Sequence, residues 1–135
     1  MELRIVTPEG EKCLVQVDSV NIPGELGEMG VLPGHTALMS TVEVGKLRYT
    51  GADGEVVMAI NRGFVEVLDD VVTVLTETCE SGDDIDAERA NEALSRARKR
   101  LLDAQASSNV DVARAEYALQ RALTRLRAAG KHSAE

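Results

Sequence analysis

Few side chains in this sequence have the chemistry of a catalytic or metal-binding group. The histidines are His35 and His132, and the cysteines are Cys13 and Cys79. A zinc site needs about four ligands at short spacings, and these residues are too scattered to supply them. A serine–histidine–acid triad would have to use His35, which has no sequence neighbour to orient its ring. We therefore predict no metal centre, no catalytic residue and two free thiols.

Motifs that bind phosphate or carry a nucleophile are also missing from the sequence. There is no GxxxxGK[ST] loop, no GxGxxG turn after a strand and no GxSxG elbow. An enzyme acting through His35 and the nearby Glu28 is the catalytic alternative. It lacks a second base, and an activity panel with the His35→Ala variant would test it.

The charges divide the 135-residue chain into two parts. Residues 1–82 carry 5 basic and 14 acidic side chains, a net charge of −9, whereas residues 83–135 carry 10 and 9, a net charge of +1. Nucleic-acid phosphates are bound by clustered Lys and Arg, so the acidic first part argues against nucleic-acid binding. No apolar run approaches the roughly 20 residues of a spanning helix, and the sequence predicts no direct membrane insertion.

The first 82 residues have the pattern of short strands joined by tight turns. One set of alternate residues is Cys13, Val15 and Val17, and they alternate with Leu14, Gln16 and Asp18, as in a half-buried strand. Turn signals occur at TPEG (7–10), GADG (51–54) and Asp69-Asp70, each between runs suited to strands. No helical pattern separates these strands, which predicts an antiparallel β-sandwich or barrel.

The rest of the chain has the pattern of two helices. Two apolar stripes recur at spacings of three and four: Ala90, Leu94, Ala97, Leu101 and Ala104, then Val112, Ala115, Leu119, Ala122 and Leu126. SSNVD (107–111) between them favours a turn, which predicts an antiparallel αα-hairpin. Alanine seams bury little area, so the hairpin should be weakly held. We place the domain boundary at Gly82, a candidate hinge, giving domains 1–82 and 83–135.

The stretch GELGEMGVLPGHTAL (24–38) carries four glycines and a proline among small apolar residues. It resembles the signature G-x-x-G-[DE]-x-G-[IV]-x-P-x-H-x-x-L of the epsilon subunit of F-type ATP synthases. NRGFVEVLDDVVTVLTE and IDAERANEAL follow in the order expected for that family, and the resemblance covers nearly the whole chain. The sequence departs from the family at Asn61-Arg62-Gly63-Phe64, where a second glycine usually precedes the phenylalanine.

The resemblance implies an α+β chain, with an N-terminal antiparallel β-sandwich followed by the helical hairpin. It implies a noncatalytic subunit of the rotary motor whose sandwich docks on the gamma subunit and on the polar loops of the c-ring. The hairpin of such subunits can extend beside gamma, towards the alpha and beta subunits, and inhibit ATP hydrolysis. The expected location is the cytoplasmic face of the bacterial inner membrane, with the plastid thylakoid as the alternative.

The same resemblance implies two sets of contact residues. Glu28 and His35 match the family's turn region and are expected to face the c-ring or gamma. The alternative is that Glu28 is solvated while His35 braces its own loop. Four basic residues of the second predicted helix are candidates for contacting acidic beta-subunit segments: Arg114, Arg121, Arg125 and Arg127. Their alternative is a solvated helix face.

Some bacterial members of the family bind ATP through an [IL]-D-x-x-R-A segment, here residues 85–90 with Ala90 as its last residue. Asp86 could accept a hydrogen bond from the adenine amino group or the ribose. Arg89 and Arg96 share its helix face and could reach phosphate. ATP would then be a weak regulatory ligand, and no cofactor is required.

Two alternatives stay open for this part of the chain. Asp86 could instead cap the helix start, with Arg89 paired to Asp86 or Glu92. The whole chain could also be a small β-sandwich binding module with a helical dimerisation tail, which predicts a parallel coiled coil and a symmetric homodimer. The break at residues 107–111 argues against the dimer, because a continuous dimer helix needs no turn there.

Overall fold

The computed structural model describes residues 1–106 and 112–129. The predicted turn at SSNVD and His132 therefore lie outside the described residues. The described chain contains ten strands followed by two helices, with a short 3-10 turn at Gly82–Asp84 before the first helix. The strands are β1 Glu2–Thr7, β2 Gly10–Gln16, β3 Ser19–Gly24, β4 Gly27–Val31, β5 Leu38–Val42, β6 Gly45–Gly51, β7 Gly54–Ile60, β8 Gly63–Leu68, β9 Val71–Thr76 and β10 Cys79–Ser81. The helices are α1 Ala87–Ala106 and α2 Val112–Ala128.

The strands form two five-stranded sheets stacked as a β-sandwich. The first sheet has the order β2-β1-β9-β8-β5 and the second has the order β10-β7-β6-β3-β4. The predicted α+β class, a sandwich followed by helices, is confirmed. One pairing differs from a fully antiparallel sandwich, because β1 and β9 run parallel, with Leu3 opposite Val72 and Ile5 opposite Val74. These strands are far apart in sequence, so no tight turn forces them to run in opposite directions.

The predicted turns connect neighbouring antiparallel strands. TPEG joins β1 to β2, GADG joins β6 to β7, and Asp69-Asp70 joins β8 to β9. Asp69 and Asp70 have φ values of 50° and 62°. Positive φ at both central residues is the requirement of the type I′ hairpin turn, whose twist matches that of the strands. Aspartate tolerates this conformation better than most residues.

Alternate residues of the strands fill the space between the sheets. The fully buried side chains of this core are aliphatic: Leu3, Ile5, Val20, Ile22, Val31, Val42, Leu47, Val65, Val67, Val72 and Val74. Each of these strands points its intervening residues outward. The outward face of the first sheet therefore takes no part in the core, and its side chains are available for other contacts.

The two helices pack on each other and on the second sheet. Ala90 and Leu94 near the start of α1 share a buried cluster with Ala122 and Leu126 near the end of α2, so the helices run antiparallel. The predicted αα-hairpin is confirmed. Among the stripe residues whose side chains are described, Val112 is exposed. From the sandwich, Ala59 and Val57 of β7 join this cluster.

Gly82 lies at the junction of the two parts and is buried. A Cβ atom at this position would overlap the carbonyl oxygen of Ala128, at the end of α2. The glycine is therefore required because two backbones approach each other closely. This role differs from the predicted hinge. Independent folding of residues 1–82 as a domain stays a prediction.

Candidate functional site

The signature stretch forms β4 and the corner between β4 and β5. Glu28 lies on β4 and receives two hydrogen bonds from Nη2 of Arg48 on β6, each 2.9 Å long. Both side chains are partly exposed. Glu28 is therefore held in a defined position by a charge-assisted pair. A contact between Glu28 and a partner stays a prediction, and any such contact would have to share this carboxylate with Arg48.

His35 belongs to the β4–β5 corner and is half-buried. Its Nδ1 lies 2.7 Å from the carbonyl oxygen of Thr36, and its backbone N–H donates to the carbonyl of Leu32. This is the geometry of the alternative in which His35 braces its own loop. The N–H of Gly34 donates to Oδ1 of Asp70 at 2.7 Å, which ties the corner to the β8–β9 turn.

An apolar surface covers part of the outward face of the first sheet. Four large side chains from β5, β8 and β9 are between 48% and 69% exposed: Met39, Phe64, Leu68 and Leu75. Phe64 is opposite Leu75 in the β8–β9 pair and opposite Thr41 in the β5–β8 pair. Sequence reasoning missed this surface. The signal was present in FVEVL and VVTVL, where apolar residues occupy both faces of the strand instead of one.

The predicted nucleotide segment lies at the start of α1. Oδ1 of Asp86 accepts hydrogen bonds from the backbone N–H groups of Glu88, at 3.0 Å, and Arg89, at 3.2 Å. Asp86 is therefore the N-cap of α1, as in the cap alternative. Ala90 of the same segment is buried in the helix cluster, so its side chain packs the hairpin.

Two open cavities lie beside this helix start, between the hairpin and the sandwich. Asp86, Arg89 and Arg96 line the smaller cavity, of about 400 Å³, together with Arg125 of α2 and three acidic residues. The larger cavity, of about 620 Å³, is also lined by Arg96 and Arg125. Its other basic side chains are Lys12, Arg100 and Arg121, and its acidic ones are Glu9, Glu77 and Glu80. Converging guanidinium groups of this kind suit a phosphate-bearing anion.

The four arginines predicted on the second helix separate into two groups. Arg121 and Arg125 line the larger cavity. Arg125 donates two hydrogen bonds to Glu80, and the Arg121 guanidinium lies 4.7 Å from the centroid of the Tyr117 ring. Arg114 and Arg127 are exposed on α2. Sequence spacing could not place Arg125 beside Arg89 and Arg96, because that register depends on how the two helices pack.

The two thiols are half-buried in the sandwich. Sγ of Cys79 lies 3.9 Å from Sδ of Met58. Burial raises the pKa of the Cys79 thiol to about 11, and burial likewise raises the pKa of Cys13. Reactive cysteines have lowered pKa values, so neither thiol is suited to nucleophilic chemistry at neutral pH.

Two features that the described part of the chain lacks bear on its function. Residues 1–106 and 112–129 contain no group of three histidine, cysteine or acidic side chains that could hold a metal ion. Neither described helix combines the length and the apolar character needed to span a membrane.

Residues 1–130 match the two domains of one known protein family. Residues 1–82 match the β-sandwich domain of the ATP synthase delta/epsilon chain, and residues 83–130 match its long α-helix domain. The ATP synthase epsilon chain 1 of Syntrophotalea carbinolica is 46% identical over 101 residues, which cover 75% of this chain and 73% of that protein. The epsilon chain of Thermodesulfovibrio yellowstonii is 44% identical over 107 residues, covering 78% and 76%.

Solved structures with a similar fold come from mitochondrial ATP synthases. A chain of the Euglena gracilis OSCP/F1/c-ring structure superposes with a TM-score of 0.78 at 26% identity, covering 96% of this chain and 80% of that one. A chain of the Tetrahymena thermophila central stalk and c-ring gives a TM-score of 0.58 at 14% identity, with 97% and 94% covered. The second likeness concerns the fold alone.

Proposed function

Because the chain belongs to the ATP synthase delta/epsilon family, as a noncatalytic stalk subunit, we propose that its sandwich docks on gamma and the c-ring and that its hairpin regulates ATP hydrolysis. The chain would rotate with the stalk during proton-driven ATP synthesis. Bacterial relatives favour a position on the cytoplasmic face of the inner membrane. Membership in this family also favours the stalk function over a binding module with a dimerisation tail.

The single observation that carries the docking proposal is the apolar surface of Met39, Phe64, Leu68 and Leu75. Large exposed apolar patches usually mark an interaction site, because water is displaced from them when a partner binds. A stalk subunit needs a permanent partner, and obligate interfaces are more apolar than the average protein surface. We therefore assign this surface to gamma.

Co-purification with gamma tests this assignment. The Phe64→Gln variant removes an exposed ring from this surface without touching the core, so we expect recovery of the complex to fall at least tenfold. The matched control is Leu102→Gln, which changes an apolar side chain on α1 that is also more than half exposed. Equal recovery with both variants would overturn the assignment, provided that circular dichroism shows both to be folded.

The β4–β5 corner supplies the proposed contact with the c-ring. Glu28 and His35 lie in or beside it, and exposed polar residues on tight turns often make contacts. A cysteine at position 28 should crosslink to the polar loops of the c-ring in an assembled complex. Asp103→Cys on α1 is the control and should not crosslink. Persistent failure at position 28 in an active complex would count against this contact.

The small apolar contact between the hairpin and the sandwich supports a regulatory role for the hairpin. The structure shows the hairpin folded against the sandwich, with only Ala59 and Val57 of the strands in the shared apolar cluster. Such a small apolar contact makes release and extension feasible. Deleting residues 83–135 should leave ATP synthesis largely intact and raise ATP hydrolysis by the core complex. If Arg114, Arg121, Arg125 and Arg127 act through charge, inhibition should also weaken as salt rises.

ATP is the proposed ligand of the cavities beside α1. Arg89, Arg96 and Arg125 surround the smaller cavity and could hold phosphates. Three carboxylates share it and Asp86 is already engaged as a cap, which predicts weak binding. Calorimetry of the full chain with millimolar ATP should show heat that the Arg89→Ala variant loses. Arg127→Ala, on the exposed face of α2, is the matched control and should bind as the unmodified chain does.

A further inference from the structure

We propose that the Tyr117 hydroxyl is a latch that holds the helical hairpin on the sandwich by binding the side chain of Asn61. Tyr117 lies on α2, and its hydroxyl donates a hydrogen bond to Oδ1 of Asn61. Asn61 follows β7, so the bond joins the second helix to the sandwich across 56 positions of sequence. The contact borders the larger cavity, which Asn61 and Arg121 both line.

Asn61 is fixed in position by the sandwich alone. Its side chain is only 6% exposed in the docked chain. Its backbone N–H donates to Oγ1 of Thr76 at 3.0 Å, and the same hydroxyl donates to the Asn61 carbonyl at 2.9 Å. Its Oδ1 also accepts the backbone N–H of Arg62 at 2.9 Å. The acceptor for Tyr117 is therefore preorganised by groups that do not leave with the hairpin.

The aromatic ring of Tyr117 also makes contacts that hold it in place. The guanidinium carbon of Arg62 lies 3.8 Å from the ring centroid and that of Arg121 lies 4.7 Å away. Arg62 belongs to the sandwich, so its cation–π contact also crosses the junction. Arg62 stands where the resembled family pattern usually has a second glycine before the phenylalanine, and it follows Asn61 directly, so the two residues that receive Tyr117 are neighbours on the sandwich.

The latch matters because the remaining attachment is small. Alanine and valine contacts from β7 bury little apolar area. A second polar attachment among the described residues, Arg125 to Glu80, is partly exposed and is screened by salt. The neutral bond from Tyr117 to Asn61 is insensitive to salt. When the bond is lost, Asn61 is exposed to water. A water molecule can then replace the Tyr117 hydroxyl, so release of the hairpin is reversible.

The role of the latch in regulation rests on the proposed function, whereas the latch itself is a property of the isolated chain. Hydrogen–deuterium exchange of the full chain tests it. The Tyr117→Phe variant keeps the ring and removes only the hydroxyl. We expect exchange of the α2 amides to accelerate about five- to tenfold, the effect of one lost hydrogen bond, while the sandwich amides stay unchanged. Tyr49→Phe, in the half-buried part of β6, is the matched control and should leave α2 unchanged.

A double variant separates the latch from a general loss of packing. If the two side chains act as a pair, adding Asn61→Ser to Tyr117→Phe should accelerate exchange in α2 no further. Unchanged α2 exchange in Tyr117→Phe, or equal acceleration in the sandwich and α2, would overturn the latch. An ATPase assay of the core complex with Tyr117→Phe decides whether the latch takes part in the regulation of ATP hydrolysis. Faster α2 exchange with unchanged hydrolysis would keep the latch and overturn the proposed regulation.

Discussion

Arg125 on α2 and Glu80 on β10 form a two-point ion pair across the junction of hairpin and sandwich. Nε of Arg125 lies 2.8 Å from Oε1 of Glu80, and Nη2 lies 3.1 Å from Oε2. Both residues line the two cavities beside α1. Glu80 therefore occupies an arginine that would otherwise be available to a phosphate, and acts as an internal competitor for any anion that binds there.

Because Glu80 competes with a bound anion for Arg125, changing Glu80 and changing Arg125 should have opposite effects on the affinity for ATP. The Glu80→Gln variant frees Arg125 and removes a negative charge from the cavity, so ATP should bind about fivefold more tightly, as expected for one partly exposed charge pair. Arg125→Ala should weaken binding by a similar factor. Calorimetry of the full chain measures both. Equal affinities in the two variants would show that Arg125 does not contact the ligand.

Gly82 predicts a local effect on the hairpin. In Gly82→Ala the new methyl group overlaps the Ala128 carbonyl, and the backbones must separate, at a cost of about 1–3 kcal/mol in the free energy of unfolding. Urea denaturation followed by helical circular dichroism measures it. Gly30→Ala is the control, because its Cβ would meet only Oδ1 of Asn21 at 3.5 Å. A larger loss in Gly30→Ala than in Gly82→Ala would contradict the close-approach argument.

The sequence is informative where structure depends on neighbouring residues. Asp69-Asp70 between two β-branched runs predicts a hairpin turn, and both residues adopt the positive φ that this turn requires. The spacing of Ala90, Leu94 and Ala97 predicts the buried face of α1, and all three are buried. In these cases local preference and tertiary packing favour the same result.

Contacts between distant residues could not be predicted in the same way. Three contacts join residues that are 45 or more positions apart in the sequence: the parallel pairing of β1 with β9, the Tyr117–Asn61 bond and the Arg125–Glu80 pair. Spacing within one helix fixes which residues share its face, but the relative position of two helices depends on their packing. The positions of the second-helix arginines in the candidate site therefore could not be predicted from the sequence.

The buried thiol of Cys79 predicts a loss of stability at alkaline pH. Burial raises its pKa from 9.0 to about 11 in the folded chain. Between these values the folded state binds more protons than the unfolded state, so the free energy of unfolding falls as pH rises from 9 to 11. The contribution is complete below pH 9 and is lost above about 11. Urea titrations should show a shallower decline in Cys79→Ala than in the unmodified chain, and identical slopes would contradict the prediction.

The cap at Asp86 predicts a stability effect that separates its structural role from ligand binding. Its Oδ1 accepts the N–H groups of Glu88 and Arg89, so Asp86→Ala should lower the free energy of unfolding of the hairpin by about 1 kcal/mol. Asparagine is an equally good cap, and Asp86→Asn should keep most of that stability. Urea denaturation followed by helical circular dichroism measures both variants. If Asp86 also binds the adenine amino group, Asp86→Asn should lose ATP heat in calorimetry while it keeps its stability. A stable Asp86→Asn variant with unchanged ATP binding would limit Asp86 to its role as the cap of α1.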